Sequence, residues 1–225
     1  MAEQLTFDLP KRAALGREDF FVSPANALAL AALDDWRAWP LGKMVLVGPH
    51  GAGKTHLAHV WAAAAEATIV GAGDLAKADL PTLASTGAVA VEDADNAALD
   101  PAALFHLHNL LAEAKGALLV TATCPPAQWA TALPDLVSRM QAAALSRLDP
   151  PDDTLLQAVL VKQFNDRQLA VTPEVTNYLL KRMDRSFDAA QRLVEALDAT
   201  ALTEGKRITR GFAGAVLDKL QGPDA

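Results

Sequence analysis

The residues with the clearest chemical potential lie at positions 48–55, GPHGAGKT, which match the pattern G-x-x-x-x-G-K-[ST] without deviation. They follow the apolar run KMVLVG (43–48) and open a helical pattern. Glycines let the backbone wrap around phosphates with inward-pointing N–H groups, and a helix N-terminus adds partial positive charge. We therefore predict a phosphate-binding loop (P-loop) rather than a chance match on a glycine-rich turn. Its expected nucleotide-binding residues are Gly48, Pro49, His50, Gly51, Ala52, Gly53, Lys54, Thr55 and His56.

Within this loop, Lys54 is expected to reach the β- and γ-phosphates and the Thr55 hydroxyl to bind Mg²⁺. Such a loop also needs a carboxylate at the end of a neighbouring strand. The segment AVAVED supplies Glu92 for the metal and Asp93 to position an attacking water. In the usual order the shorter aspartate comes first, and a one-carbon shift disturbs the geometry of attack. We predict nucleotide binding with weak or no intrinsic hydrolysis, although Glu92 could also be an ordinary strand-end carboxylate.

The elements that must position these residues follow from the hydrophobic pattern. Helical patterns alternate with short apolar runs, which predicts right-handed crossovers and a mostly parallel sheet. The expected strands are 43–48, 68–71, 87–93, 117–123 and 144–148, with helices at 23–36, 55–67, 100–116 and 133–144 and a short polar-capped segment at Asp74.

The pattern changes at LDPPDD (148–153), after which only helical patterns remain. We expect these helices at 153–167, 173–183, 187–203 and 209–220. The predicted organisation is a flexible N-terminal tail (1–17), an α/β nucleotide-binding domain (18–150) and a helical domain (151–222).

Composition excludes several classes of protein. Hydrophobic residues make up 51% of the 225 residues, enough for a packed core, yet no apolar run approaches the roughly 20 residues of a membrane span. Cys124 is the single cysteine, so no internal disulfide forms and a reducing cytoplasm is expected. The net charge of −7 weakens the case for a free-standing DNA-binding protein. The histidines lack the spacing of a zinc site.

The segment QLTFDLP (4–10) places large apolar side chains in the expected tail. Disordered tails are usually poor in such residues. They can dock in a groove of a partner protein as an extended peptide, or they can pack on the chain's own core. The residue pattern alone favours neither.

The order of the P-loop, the tandem carboxylates, LPDLVSRM (133–140) and LLKRMDRSF (179–187) resembles the AAA+ ATPases of the DnaA branch. The resemblance covers residues from about 18 to 221. The chain ends at GPDA without the helix-turn-helix domain of DnaA. In this pattern the chain resembles the Hda family of DnaA-homologous regulators of replication initiation. The implied fold is a P-loop NTPase with a parallel five-stranded sheet flanked by helices and a C-terminal all-α lid.

The resemblance implies specific partners. Arg139 would act as an arginine finger in trans on ATP bound to DnaA, and ADP or ATP with Mg²⁺ would occupy the chain's own site. The tail resembles a motif that binds the β sliding clamp of DNA polymerase III. The chain would contact DNA mainly indirectly, through the clamp. It could also form a homo-oligomer. The clamp-binding residues would be Gln4, Leu5, Phe7 and Leu9.

Two positions depart from the family pattern. Asp188 stands where the family has a lid arginine (sensor 2), and either Arg185 or Arg192, about one turn away, could replace that arginine. We include Arg185 in the predicted site. Thr123 replaces the usual acidic or amide residue after the fourth strand (sensor 1). Both departures favour an ADP-bound switch over a strong ATPase.

Two alternative functions stay open on the sequence. One is a stand-alone DnaA- or DnaC-like ATPase that loads or remodels a replication protein. The other is a structural adaptor in which nucleotide only stabilises the fold.

Overall fold

The computed structural model describes residues 21–130 and 133–222. Its centre is a parallel sheet of five strands in the order β2-β3-β4-β1-β5. The strands are β1 (Lys43–Val47), β2 (Thr68–Gly71), β3 (Ala88–Glu92), β4 (Ala117–Ala122) and β5 (Ala144–Arg147). All four strand pairs are parallel, so the segments that follow β1, β3 and β4 emerge at one edge. That edge collects the P-loop, the tandem carboxylates and Thr123.

Helices cover both faces of the sheet. On one face lie α1 (Ala27–Asp34) and α2 (Lys54–Ala65), whose side chains share a core with β1. On the other lie α3 (Leu80–Ser85), α4 (Pro101–Glu113) and α5 (Pro134–Gln141). Near-continuous burial of β1, β3 and β4 follows from this double cover, because a parallel sheet packed on both faces needs apolar side chains in both directions.

The C-terminal segment is all helical and forms its own core. It comprises α6 (Asp153–Asp166), α7 (Pro173–Leu180), α8 (Phe187–Glu204) and α9 (Arg210–Leu220), and we call it the lid. The sheet and the lid confirm the predicted fold class. Among the described residues, no helix is long and apolar enough to cross a membrane.

Three tryptophans pack on the first face of the sheet. The Trp39 and Trp61 rings stack with centroids 5.4 Å apart, and Trp36 meets Trp61 edge-on at 6.3 Å. Trp129 is buried on the other face, where its indole N–H donates to the Cys124 carbonyl. All four rings thus pack in or against the two cores of the sheet.

The structure corrects several predicted elements. The helix expected from Ser23 begins at Ala27, because Asn26 forms a turn in which its side chain accepts from the Ser23 N–H and donates to the Phe21 carbonyl. The polar-capped segment at Asp74 is a 3₁₀ turn, and the short helix α3 was not predicted. It starts because the Asp79 carboxylate accepts from the Thr82 N–H.

Candidate functional site

The P-loop connects β1 to α2 in a conformation that needs glycine. Gly51 has φ 67° and Gly53 has φ 97°, both in the left-handed region that other residues rarely adopt. Gly48 passes so close to β5 that an added Cβ would lie 2.7 Å from the Leu148 carbonyl oxygen. The glycines therefore shape an open turn whose backbone leads directly into the positive end of α2.

Lys54, the first residue of α2, closes this turn with its side chain. Its Nζ donates to the carbonyl oxygens of Gly48 at 2.8 Å and Pro49 at 3.0 Å. Burial lowers the pKa of Lys54, while nearby negative charges act in the opposite direction. Those charges belong to Asp93, Asp95, Asp188 and Glu92. The arrangement holds the buried Lys54 side chain inside the turn of the P-loop.

Glu92 and Thr55 are the residues that the sequence analysis assigns to Mg²⁺. Glu92 ends β3, and its Oε1 is buried without a hydrogen-bond partner in the part of the chain that the structure describes. Thr55 is exposed on the first turn of α2. Within residues 21–130 and 133–222, no group of three His, Cys, Asp or Glu side chains could hold a metal ion. An orphaned carboxylate oxygen fits Mg²⁺ that shares its ligands with nucleotide phosphates.

Asp93 turns the chain sharply after β3. It adopts φ 57°, a conformation that aspartate tolerates better than most residues, and its N–H donates to the Thr121 hydroxyl at 3.0 Å. The Ala94 N–H donates to the Thr121 carbonyl at 2.8 Å. These two bonds tie the carboxylate-bearing turn to β4 and leave the Asp93 side chain exposed at the edge of the site.

Thr123 is held by an acidic residue that the sequence analysis missed. Asp95 Oδ2 accepts a short hydrogen bond from the Thr123 hydroxyl and a second from the Thr123 N–H at 2.7 Å. Burial acts to raise the pKa of Asp95, but the hydrogen bonds from Thr123 and Cys124 outweigh it and keep this pKa below its usual value. The signal was the third carboxylate in EDAD (92–95), which faces the polar end of β4.

Cys124 also donates a hydrogen bond to Asp95. Its N–H donates to Asp95 Oδ2 at 3.3 Å. Burial raises the pKa of the thiol, and the Asp95 charge raises it further. The cysteine therefore stays protonated and takes a structural position.

The lid lies directly on the P-loop through the first residues of α8. The Phe187 N–H donates to the Gly51 carbonyl at 2.8 Å. A Cβ on Gly51 would lie 2.6 Å from Ser186 Cβ and 3.2 Å from Asp188 Oδ2. A Cβ on Gly53 would lie 3.0 Å from the Phe187 ring. The N-termini of α2 and α8 thus converge on the same loop.

The two arginines considered as replacements for the family's lid arginine differ from Asp188 in their surroundings. Arg185 forms a 2.8 Å ion pair with Asp153 at the start of α6. Arg192 is exposed on α8. The structure brings Asp188 to the P-loop, and a nucleotide-binding role for Arg185 stays a prediction that requires this ion pair to open.

Arg139 lies away from the chain's own P-loop. It is exposed in the last turn of α5, on the sheet face opposite α2. Because α5 leads into the start of β5, Arg139 lies toward the edge where strands begin. Burial lowers the pKa of His108, and the charges of Lys43 and Arg139 lower it further. Lys43 is the first residue of β1, which agrees with this placement.

The predicted clamp-binding residues Gln4, Leu5, Phe7 and Leu9 lie outside the described residues.

Comparison with solved structures places the fold. Domain III of the Thermotoga maritima replication initiation protein DnaA superposes with a TM-score of 0.77 at 19% identity, covering 96% of this chain and all (100%) of that one. DnaA from Aquifex aeolicus bound to AMPPCP gives 0.64 at 18% identity, covering 84% and 65%. A point mutant of RuvB from Thermotoga maritima gives 0.68 at 19% identity, covering 88% and 69%.

The fold and the P-loop define a P-loop α/β protein with a helical lid. Residues 152–217 match the family model described as the lid domain of Hda. The lid is thus similar to the lid domain of Hda, and the described chain shares the fold of domain III of DnaA.

Proposed function

We propose that this chain is a regulator of replication initiation that stimulates hydrolysis of ATP bound to DnaA. In this account it binds adenine nucleotide, as ADP with Mg²⁺, at its own P-loop. It docks on the DNA-loaded β sliding clamp through Gln4, Leu5, Phe7 and Leu9 and presents Arg139 to DnaA. Conversion of DnaA–ATP to DnaA–ADP then prevents re-initiation.

The observation that carries the proposal is the separation of Arg139 from the P-loop. Arg139 is exposed on the opposite face of the sheet from α2, toward the edge where strands begin. This separation supports a role on a neighbour's nucleotide rather than on the chain's own. An arginine supplied in trans to a developing phosphate charge accelerates hydrolysis by about 10³–10⁵, which is enough to switch the state of a partner.

Nucleotide binding at the chain's own site has independent support. The positive-φ glycines, the buried Lys54 and the orphaned Glu92 oxygen form a cradle suited to phosphates and Mg²⁺. The solved DnaA structures bound to AMPPCP share this fold. Bound Mg²⁺ would neutralise phosphate charge, with Thr55 and Glu92 as its protein ligands.

Two other residues, Thr123 and Asp188, support weak hydrolysis at this site. Thr123 commits its hydroxyl to Asp95, so it is poorly available to orient a water. Asp188 places a negative charge beside the P-loop, where the resemblance implies an arginine. A stand-alone loader ATPase, which would need turnover at this site, is the alternative function.

A double-label experiment separates the two functions. ATP labelled with one isotope is preloaded on DnaA and ATP labelled with another on this chain, and single-turnover hydrolysis is followed with DNA-loaded clamp. The proposed function predicts fast loss of DnaA-bound ATP and slow loss of the chain's own. Fast turnover of the chain's own ATP with no effect on DnaA would support the loader, and no effect on either nucleotide would leave the adaptor.

A further inference from the structure

Two leucines are exposed near the amino ends of the paired strands β1 and β5. Leu41 is 70% exposed in the turn that precedes β1, and Leu145 is 49% exposed as the second residue of β5. Single exposed apolar side chains are common on protein surfaces. These two differ from that background, Leu41 by its backbone conformation and Leu145 by its place in the sheet.

Leu41 combines an apolar side chain in water with an unfavourable backbone. It adopts φ 53° and ψ 17°, in the left-handed region that glycine and asparagine tolerate better than leucine. The turn is fixed, since the Gly42 N–H donates to the Trp39 carbonyl at 2.9 Å. Neither the backbone nor the solvent favours leucine at this position in the free chain. A conformational outlier of this kind points to a function for its side chain.

Leu145 lies on the same face of the sheet as α5. Its register partner on β1 is Val45, which is fully buried in the core that the side chains of α5 share. Side chains alternate along a strand, so register partners in neighbouring strands point to the same face. Leu145 is nevertheless half exposed, because β5 is an edge strand.

Arg139 belongs to the same face and the same end of the sheet. It is exposed on α5, and the chain runs from α5 directly into β5. Leu41 leads into Lys43 at the start of β1, the strand that pairs with β5. The two leucines and Arg139 therefore come from three segments that meet near the amino ends of this strand pair.

We propose that Leu41 and Leu145 are apolar anchors of the surface that docks on the partner whose bound ATP receives Arg139. This inference rests on the proposed function, since it needs a partner that carries a nucleoside triphosphate. The positive charge of Arg139 complements that triphosphate. An exposed charge alone contributes little affinity, and the leucines supply apolar area that docking can bury.

The leucines and the arginine should affect different kinetic quantities. Leu41 and Leu145 contribute to association, so losing one raises the concentration of this chain that gives half-maximal acceleration of hydrolysis. Arg139 acts on the charge that develops on the phosphate, so losing it lowers the maximal acceleration. Removing one apolar anchor should raise the half-maximal concentration by about five- to tenfold.

The test is single-turnover hydrolysis of ATP preloaded on DnaA, measured over a range of concentrations of the full chain with ADP and DNA-loaded clamp. The variants are Leu41→Asn and Leu145→Thr, because asparagine tolerates the left-handed backbone and threonine is a good strand former. Leu202→Gln is the matched control, since Leu202 is 77% exposed on α8 in the lid. Thermal melting checks that each variant is folded.

We expect Leu41→Asn and Leu145→Thr each to raise the half-maximal concentration by about five- to tenfold and to retain the maximal rate. Leu202→Gln should change neither quantity. The melting temperature of Leu41→Asn should equal or exceed that of the wild type, because asparagine relieves the backbone cost. A merely structural role for Leu41 would lower it instead.

Half-maximal concentrations equal to the wild-type value in both leucine variants would overturn this inference and leave the proposed function standing. An equal rise for Leu202→Gln would also contradict it. Loss of self-association in analytical ultracentrifugation, with unchanged half-maximal concentrations, would assign the surface to a second copy of the chain instead. Failure of the wild-type chain to accelerate hydrolysis at any concentration would overturn both this inference and the proposed function.

Discussion

Phe187 donates its backbone N–H to the carbonyl oxygen of Gly51 at 2.8 Å, which joins the lid to the P-loop without any side-chain chemistry. The bond forms because Gly51 has no side chain. A Cβ there would lie 2.6 Å from Ser186 Cβ. Gly51 thus serves two purposes: it allows the left-handed turn, and it lets the N-terminus of α8 pack closely on the P-loop.

A Gly51→Ala substitution tests the close packing of α8 on the P-loop. The methyl group meets Ser186 and the backbone is held at φ 67°, so we expect a loss of about 1–3 kcal/mol in the free energy of unfolding. Gly205→Ala is the matched control, because Gly205 has φ 61° but nothing within 4 Å of an added Cβ. Denaturant titration should show a clearly larger loss for Gly51→Ala. Equal losses would mean that backbone strain alone accounts for the effect.

The contact between Asp95 and Thr123 should contribute to stability. Asp95→Ala leaves the N–H groups of Thr123 and Cys124 without their acceptor, and we expect a loss of about 1–3 kcal/mol. Because folding lowers the pKa of Asp95, this contribution is present above its unfolded pKa and is lost as the pH falls through the folded value. Equilibrium unfolding at neutral and acid pH measures it. A wild-type advantage over Asp95→Ala that does not shrink in acid would contradict this assignment.

Lys43 should make the free energy of unfolding depend on pH through the burial of a basic group. It is 1% exposed, its Nζ donates to the Gly116 carbonyl at 2.7 Å, and burial lowers its pKa from 10.5 to about 8. Above pH 8 the unfolded chain binds this proton and the folded chain does not, so stability rises with pH. Relative to Lys43→Met, the wild-type free energy of unfolding should increase by about 2 kcal/mol between about pH 8 and 9.5. A constant difference would show that Lys43 keeps an ordinary pKa.

The tail prediction is tested by binding to the isolated clamp. A double substitution, Gln4→Ala with Leu5→Ala, removes the rim amide and one apolar anchor, and we expect a loss of affinity of about tenfold or more. Lys11→Ala lies outside the motif and serves as the control. Fluorescence anisotropy of labelled chain against clamp gives the dissociation constants. Unaltered affinity in the double variant would contradict clamp binding through the tail.

The sequence was sufficient for the fold class because its signals are local. Each strand is a short apolar run bounded by glycine or polar residues, and the aspartate and proline at 100–101 mark the start of α4. The short helix α3 escaped prediction because its length leaves little room for a periodic pattern.

The site was only partly predictable because it depends on distant contacts. The P-loop motif identified Lys54 from the chain alone. Asp95 meets Thr123 across 28 residues of sequence, and α8 meets Gly51 across a still longer separation. Such contacts depend on how β3, β4 and the lid are arranged, which periodicity does not specify. The resemblance aligned Asp188 with the lid position, but its distance from Gly51 required coordinates.

The most direct test of the central claim concerns Arg139. Single-turnover hydrolysis of ATP preloaded on DnaA is measured with DNA-loaded clamp, ADP and either the wild-type chain, Arg139→Ala or Arg207→Ala. Arg207 is an exposed lid arginine and serves as the matched control. The account predicts that wild type and Arg207→Ala accelerate hydrolysis, whereas Arg139→Ala loses at least about 10²-fold of that acceleration. Full acceleration by Arg139→Ala would contradict the account.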